Sequence, residues 1–215
     1  MSSSTSNPKW LLWAKQLQAI AQTGINYNQH PYPDSVFDVQ RYEDVRKIAA
    51  EIVDEYSEMD ADYVETLFAG DVGHATPKID ARGVVFRDDA ILLVRERADR
   101  LWTLPGGWID IDEPPSTAVE REIFEESGYL TKAIKVLAVY DRNKHGHPPF
   151  PYHTYKLFLH CRLLGGEATN SIETDDVAFF REDEIPPLSL TRTMPGQIAR
   201  MFEHHRHPDW PADFD

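Results

Sequence analysis

The strongest constraint on the fold is a change of hydrophobic period near residue 75. Before this point, apolar residues recur every three or four positions, which is the period of an amphipathic helix. After it, runs rich in β-branched and aromatic residues predominate, and these favour strands. The sequence therefore predicts an α/β protein with a small all-helical extension over residues 1–74 and a strand-rich domain over residues 75–215.

The extension is expected to hold three helices. One apolar stripe predicts a first helix that ends at Gly24, a second predicts a helix up to Tyr56, and a third helix covers residues 62–68. The first stripe consists of Trp10, Trp13, Leu17 and Ile20. Because three short helices bury little apolar surface by themselves, we expect them to form much of a homodimer interface.

The second part is expected to contain paired strands and one final helix. The predicted strands cover residues 79–87, 91–95, 133–140, 155–163 and 178–180, and the helix covers 197–204. Asp88-Asp89 predicts a hairpin between the first two runs. A loop rich in proline and histidine separates the next two.

Composition excludes several classes of protein. There are 22 lysines and arginines against 36 acidic residues, a formal net charge of −14. Such a surface argues against binding to duplex nucleic acid, and a phosphate-bearing substrate would need a bridging cation. No apolar run is long enough for a membrane span and no secretion signal is visible. A single cysteine, Cys161, excludes an internal disulfide, so we expect a soluble cytoplasmic protein.

Clustered glutamates carry the strongest chemical signal. Ser116 is a plausible N-cap and Gly128 a plausible terminator of a helix of about 12 residues. Within it, Glu122, Glu125 and Glu126 stand at i, i+3 and i+4, which places them on one face. Three carboxylates repel one another unless they share hard cations, and magnesium prefers oxygen ligands. The alternative is a solvated acidic helix face.

The surrounding residues resemble the signature of the Nudix hydrolases, Gly-x5-Glu-x7-Arg-Glu-aliphatic-x-Glu-Glu-x-Gly-apolar. The residues in register are Gly107, Glu113, Arg121, Glu122, Ile123, Glu125, Glu126, Gly128 and Tyr129. The whole chain resembles a bacterial Nudix subgroup that has an N-terminal helical extension and includes CDP-choline pyrophosphatases. The resemblance implies an α/β/α sandwich around a mixed sheet.

The same resemblance implies a metal site and a reaction. Glu122 and Glu126 would bind Mg²⁺ together with the Gly106 carbonyl, Glu125 would help with a further ion or polarise water, and Mn²⁺ could substitute. Water would attack a phosphorus of a nucleoside diphosphate linked to a group X. Candidates for the general base are Glu125, Glu126 and Glu173.

Two further expectations concern neighbouring side chains. Arg121 would orient Glu113 or Glu125 through a charge-assisted bond. The loop from Tyr140 to Tyr155 is a candidate for recognising X or the base, since aromatic rings can stack a nucleobase or enclose a quaternary ammonium. The candidate substrate-binding residues are Arg82, Tyr140, Lys144 and Tyr152. A stiff surface loop is the structural alternative.

CDP-choline is the first expected substrate and ADP-ribose the second. The competing hypothesis is a non-catalytic module that senses a nucleotide or binds a partner. In the family that the sequence resembles, non-catalytic relatives often lack some of these glutamates, whereas this sequence has all three, which favours the enzyme.

Overall fold

The structure is a computed structural model of the chain and describes residues 8–28 and 35–215. Within these residues the chain forms two compact units. One contains the first three helices and residues 149–153, and the other contains the strand-rich remainder from Lys78 onward. None of the helices in the described part of the chain is long and apolar enough to cross a bilayer.

The helical unit consists of α1 (Lys9–Tyr27), α2 (Ser35–Tyr56) and α3 (Ala61–Gly70). Its buried core contains Leu11, Ala14, Ala49, Ala50, Val53, Val64 and Phe68. The predicted end of the first helix at Gly24 is wrong, because α1 continues to Tyr27. Gly24 instead allows α2 to approach closely, since a Cβ there would lie 2.4 Å from the Tyr42 ring.

The predicted apolar stripe of the first helix is also only partly buried. Trp13 is 55% exposed and Ile20 57% exposed, while Leu11, Ala14 and Ala21 are buried. The helix buries Leu11 with two alanines and two glutamines, and Trp10 and Leu17 of the predicted stripe pack partly buried against the same core. Trp13 and Ile20 of that stripe remain on the surface.

The second unit contains the remaining elements. In chain order they are β1 (Lys78–Val84), β2 (Phe86–Arg87), β3 (Ala90–Glu96), β4 (Trp102–Thr103), α4 (Pro115–Ser127), β5 (Tyr129–Asp141), β6 (Thr154–Gly166), β7 (Thr174–Arg181), α5 (Pro195–Arg206) and β8 (Asp213–Phe214). Short 3₁₀ turns cover Arg142–Lys144 and Glu182–Glu184. The sequence did not predict β4 or β8, because two residues carry no period.

The strands form two sheets. One is mixed, in the order β1–β6–β5–β8, with β1 parallel to β6 and β5 antiparallel to it. In the other, β3 pairs antiparallel with β2 and β4 on one edge and with β7 on the other. The predicted strand over residues 79–87 is therefore divided between the sheets. Only its end, Phe86–Arg87, forms the predicted hairpin with β3.

Helices cover two opposite faces of the strands. Ala81 of β1 and Val85, which directly follows this strand, pack with Val119 and Ile123 of α4. Their neighbour Val84 points the other way, into a cluster with residues of α5. This alternation gives the α/β/α arrangement that the family resemblance implies, and it fixes α4 against β1.

Candidate functional site: a carboxylate cleft beside β1

The loop before α4 is held against β1 by backbone hydrogen bonds. The Ala81 N–H donates to the Gly107 carbonyl at 2.9 Å, and the Gly83 N–H donates to the Pro105 carbonyl at 2.8 Å. Between them, Gly106 has φ +134°, and a Cβ on it would lie 2.1 Å from the Ala81 oxygen. Only glycine fits this close approach.

Glycines also set the position of α4. A Cβ on Gly83 would lie 2.5 Å from the Ile123 side chain, so its absence lets the helix lie close to β1. Gly128 ends the helix in the left-handed conformation with φ 76°, as the sequence predicts. The predicted N-cap at Ser116 is wrong, because α4 begins at Pro115 and Pro114 occupies the N-cap position without a side-chain hydrogen bond.

The three glutamates share one face of α4 but differ in environment. Glu126 is 4% exposed, and its Oε2 accepts a hydrogen bond from the Gly106 N–H at 2.8 Å. Burial raises the pKa of Glu126 to about 8. Burial also raises the pKa of Glu122, whereas the Glu125 side chain is more than half exposed.

Arg121 organises the outer carboxylates. Its guanidinium donates to both oxygens of Glu113, at 2.9 and 2.8 Å, and to Glu122 and Glu125, each at 2.9 Å. The sequence predicts one of these contacts, to Glu113 or Glu125, and both are present. A bidentate pair of this kind fixes the orientation of the carboxylates.

These groups line a cleft of about 730 Å³. Its acidic side chains are Glu96, Asp110, Glu122, Glu125, Glu126 and Glu173, and its cations are Arg82, Arg121 and Arg192. Glu173 thus shares the cleft with α4 although it is distant in sequence. Its negative charge contributes to the raised pKa values of Glu96 and Glu122.

Two of the lining residues, Glu96 and Arg192, are absent from the sequence prediction. The Arg192 Nε lies 2.9 Å from Glu96 Oε1, and its Nη1 donates to Ser189 Oγ at 3.0 Å and to Asp99 at 3.3 Å. Burial raises the pKa of Glu96 despite this ion pair. No local pattern joins positions 96 and 192, so sequence reasoning had no signal for their meeting.

Arg82 lines the cleft and is also part of a buried charge cluster with Asp80 and Lys156. It forms an ion pair with Asp80, with Nη2 2.9 Å from Oδ1, and Nη1 donates to the Leu104 carbonyl at 3.2 Å. Lys156, on the neighbouring strand β6, contacts the same carboxylate. Burial alone would raise the pKa of Asp80, but the two cations hold it below its ordinary value.

The other predicted substrate-binding residues are Tyr140, Lys144 and Tyr152. Among the described residues of the strand-rich unit, Tyr140 and Lys144 are absent from the lining of this cleft, and Tyr152 belongs to the helical unit. The Tyr140 hydroxyl donates to Asp213 at 2.9 Å, and the Tyr152 hydroxyl donates to the Leu67 carbonyl at 3.2 Å. Lys144 is exposed. The two tyrosines thus have structural contacts, as the alternative interpretation of this loop expects.

Comparison with known proteins agrees with this architecture. A family model described as NUDIX domain matches residues 77–202. The chain belongs to the Nudix hydrolases. A second model, described as UDP-X-like, N-terminal oligomerisation domain, matches residues 8–68. The resemblance inferred from the sequence is therefore confirmed for both parts of the chain, and the protein is a hydrolase of the Nudix pyrophosphatase type.

Three relatives illustrate the similarity. YjhB of Bacillus subtilis, whose name assigns it provisionally to the ADP-ribose pyrophosphatases, is 46% identical over 96% of this chain and 97% of its own length. A crystal structure of an ADP-ribose pyrophosphatase from Streptococcus suis is 41% identical, with a TM-score of 0.60, and covers 65% of this chain and all of its own. A crystal structure of a UDP-X diphosphatase is 28% identical, with a TM-score of 0.61, and covers 98% of this chain and 100% of its own.

The donor set of the cleft suits a divalent metal, which Nudix hydrolases generally use. Glu122, Glu125 and Glu126 offer carboxylate oxygens, and Gly107 leaves free space beside Glu122, since a Cβ there would lie 3.2 Å from Oε1. Within the described ranges, however, no three His, Cys, Asp or Glu side chains are grouped as ready ligands for one ion. Arg121 and the Gly106 N–H hold the carboxylates in the present arrangement.

Proposed function

We propose that this protein hydrolyses the pyrophosphate bond of a nucleoside diphosphate linked to a second group X. The observation that carries the proposal is the meeting of three α4 carboxylates with the Gly106-Gly107 loop in one cleft. Water attacks one phosphorus, the bridging P–O bond breaks, and the products are a nucleotide and phosphorylated X. The names of the relatives favour ADP-ribose and UDP-linked compounds as substrates, and CDP-choline stays a candidate from the sequence.

Mg²⁺ is the proposed ion, with Mn²⁺ as a substitute. Glu122 and Glu126 would hold it with the Gly106 carbonyl, and Glu125 would hold a further ion. When bound, the metal neutralises the diphosphate charge and lowers the pKa of coordinated water. Glu122 and Glu125 would exchange their contacts with Arg121 for contacts with the ion, and Glu126 would bind it as the carboxylate.

The chain's own groups position the substrate and move the proton. Arg82 and Arg192 supply positive charge in the cleft and pair with phosphate oxygens of the substrate. Glu125, Glu126 and Glu173 are the candidates for the base that takes the proton of the attacking water. Glu173 is favoured by its place in the cleft on a separate segment, where it has no metal to hold.

A substrate panel tests this function. ADP-ribose, UDP-glucose and CDP-choline are incubated with the protein and Mg²⁺ or Mn²⁺, and the products are separated by chromatography. We expect metal-dependent release of a nucleoside monophosphate from at least one of them, and ¹⁸O-labelled water identifies the attacked phosphorus. Nucleotide binding without turnover of any compound would contradict the enzyme and favour the sensing module.

The helical unit is proposed to form a homodimer. Exposed apolar side chains on α1 and α2 support this, since Trp13, Ile20 and Ile48 are each at least 50% exposed. We expect a dimer by analytical ultracentrifugation at micromolar concentration, and a shift toward monomer in Trp13→Glu. The exposed Gln16→Glu on the same helix is the matched control. A monomeric wild type would contradict the proposal.

A further inference from the structure

Trp108 directly follows Gly106 and Gly107, and the hydrogen bonds between this loop and β1 also fix the direction of the Trp108 side chain. It forms an antiparallel bridge with Asp80 of β1, and the next residue, Ile109, packs against the apolar cluster beneath α4. In extended chain, successive side chains point to opposite sides. The indole of Trp108 therefore points away from that cluster, and it lines the cleft with 45% of its surface exposed.

This indole is unusual for its surroundings. Of the described residues that line the cleft, all except Trp108 and Ile172 are glycines or have polar or charged side chains. Ile172 is 95% exposed. A single exposed apolar residue on a convex surface needs no explanation, but an aromatic ring in the wall of a charged cleft can bind a flat apolar part of a ligand.

The place of Trp108 relative to the glutamates indicates which part of a ligand it would meet. Its neighbour Gly107 lies beside the Glu122 carboxylate. A diphosphate held at the carboxylates thus has the indole immediately next to it, on the same extended segment. In a nucleoside diphosphate, the group with a π face closest to the phosphates is the base, one ribose away.

We propose that Trp108 stacks on the nucleobase of the substrate and determines how tightly the nucleoside end is bound. This inference rests on the proposed function, because it assumes a nucleoside diphosphate in the cleft. Stacking accepts any base, so Trp108 supplies affinity for nucleotides in general rather than discrimination between uracil and adenine. Among the described residues of the strand-rich unit, Tyr140 is absent from this cleft lining.

Binding measurements test the role without requiring turnover. Affinities of ADP, UDP and inorganic pyrophosphate are measured by calorimetry in the presence of Mg²⁺ for wild type, Trp108→Ala and Trp108→Phe. We expect Trp108→Ala to weaken both nucleotides by about 5- to 150-fold and to leave pyrophosphate unchanged. Trp108→Phe keeps a π face and should restore most of the affinity.

The matched control is Ile111→Ala, because Ile111 is 95% exposed on the same segment but does not line the cleft. It should bind all three probes as wild type does, and circular dichroism checks the fold of each variant. Unchanged nucleotide affinity in Trp108→Ala would overturn the inference, and so would an equal loss for pyrophosphate.

The two proposals fail in different ways. A wild type that binds ADP through Trp108 but hydrolyses no diphosphate contradicts the proposed function alone. If the wild type hydrolyses ADP-ribose and Trp108→Ala does so with the same KM, only the role of Trp108 is contradicted. A wild type that binds neither nucleotide contradicts both.

Discussion

The buried carboxyl group of Glu126 should make the folded protein less stable as pH rises. Its carboxyl group is 4% exposed, and burial raises its pKa from an ordinary value near 4.5 to about 8. Between these two pH values the unfolded chain releases the proton and the folded chain retains it. The unfolded state therefore binds fewer protons, and the free energy of unfolding falls as pH rises.

The magnitude follows from the two pKa values. Each pH unit between about 4.5 and about 8 lowers the free energy of unfolding by about 1.4 kcal/mol. The full loss approaches about 5 kcal/mol above pH 8, as an order of magnitude. Glu126→Gln removes this loss because its amide does not titrate, and its oxygen can still accept from the Gly106 N–H.

Urea denaturation followed by circular dichroism measures the effect in EDTA at pH 5, 6.5 and 8. We expect Glu126→Gln to gain stability over wild type as pH rises, by a few kcal/mol between the extremes. Glu125→Gln is the matched control, because its more exposed carboxylate loses little solvation on folding. A stability difference that does not change with pH would refute the reasoning about burial.

Three further outcomes are expected. Glu126→Gln should lower kcat with Mg²⁺ by roughly 10³-fold or more, measured as nucleotide release, because a metal ligand and a proton acceptor are lost. Gly106→Ala should lower the free energy of unfolding by about 2–5 kcal/mol in urea, since the new Cβ meets a backbone oxygen at positive φ. Asp213→Asn should cost about 1–3 kcal/mol at pH 7, because this carboxylate accepts from Tyr140, Arg200 and His204. Hydrogen bonds led by those of Arg200 hold the pKa of Asp213 below its ordinary value, so its contribution is present above pH 4 and the difference should shrink as pH falls.

Each of these predictions has a result that would contradict it. Near-normal kcat in a folded Glu126→Gln protein would rule out its role in the reaction. Gly196→Ala, at a helical glycine with open space around it, should change stability by less than about 1 kcal/mol, and a similar loss in both variants would contradict the clash. Equal stability of Asp213→Asn and wild type at pH 7 would show that its hydrogen bonds contribute nothing.

The sequence alone determined the features that depend on neighbours along the chain. The spacing of Glu122, Glu125 and Glu126 places their side chains on one helical face whatever surrounds the helix. Gly128 ends α4 because the left-handed conformation is a local property of glycine. The change of period near residue 75 predicted the order of helices and strands for the same reason.

Only the tertiary structure decided the burial and the contacts of each of these side chains. Burial against β1 separates Glu126 from the exposed Glu125, although one turn of the same helix carries both. Arg192 lines the cleft and forms an ion pair with Glu96, which is distant from it in sequence. Trp108 points into the cleft because its backbone forms a β-bridge with Asp80. Desolvation and long-range contacts depend on which segments meet in space, and no local period of the sequence encodes that meeting.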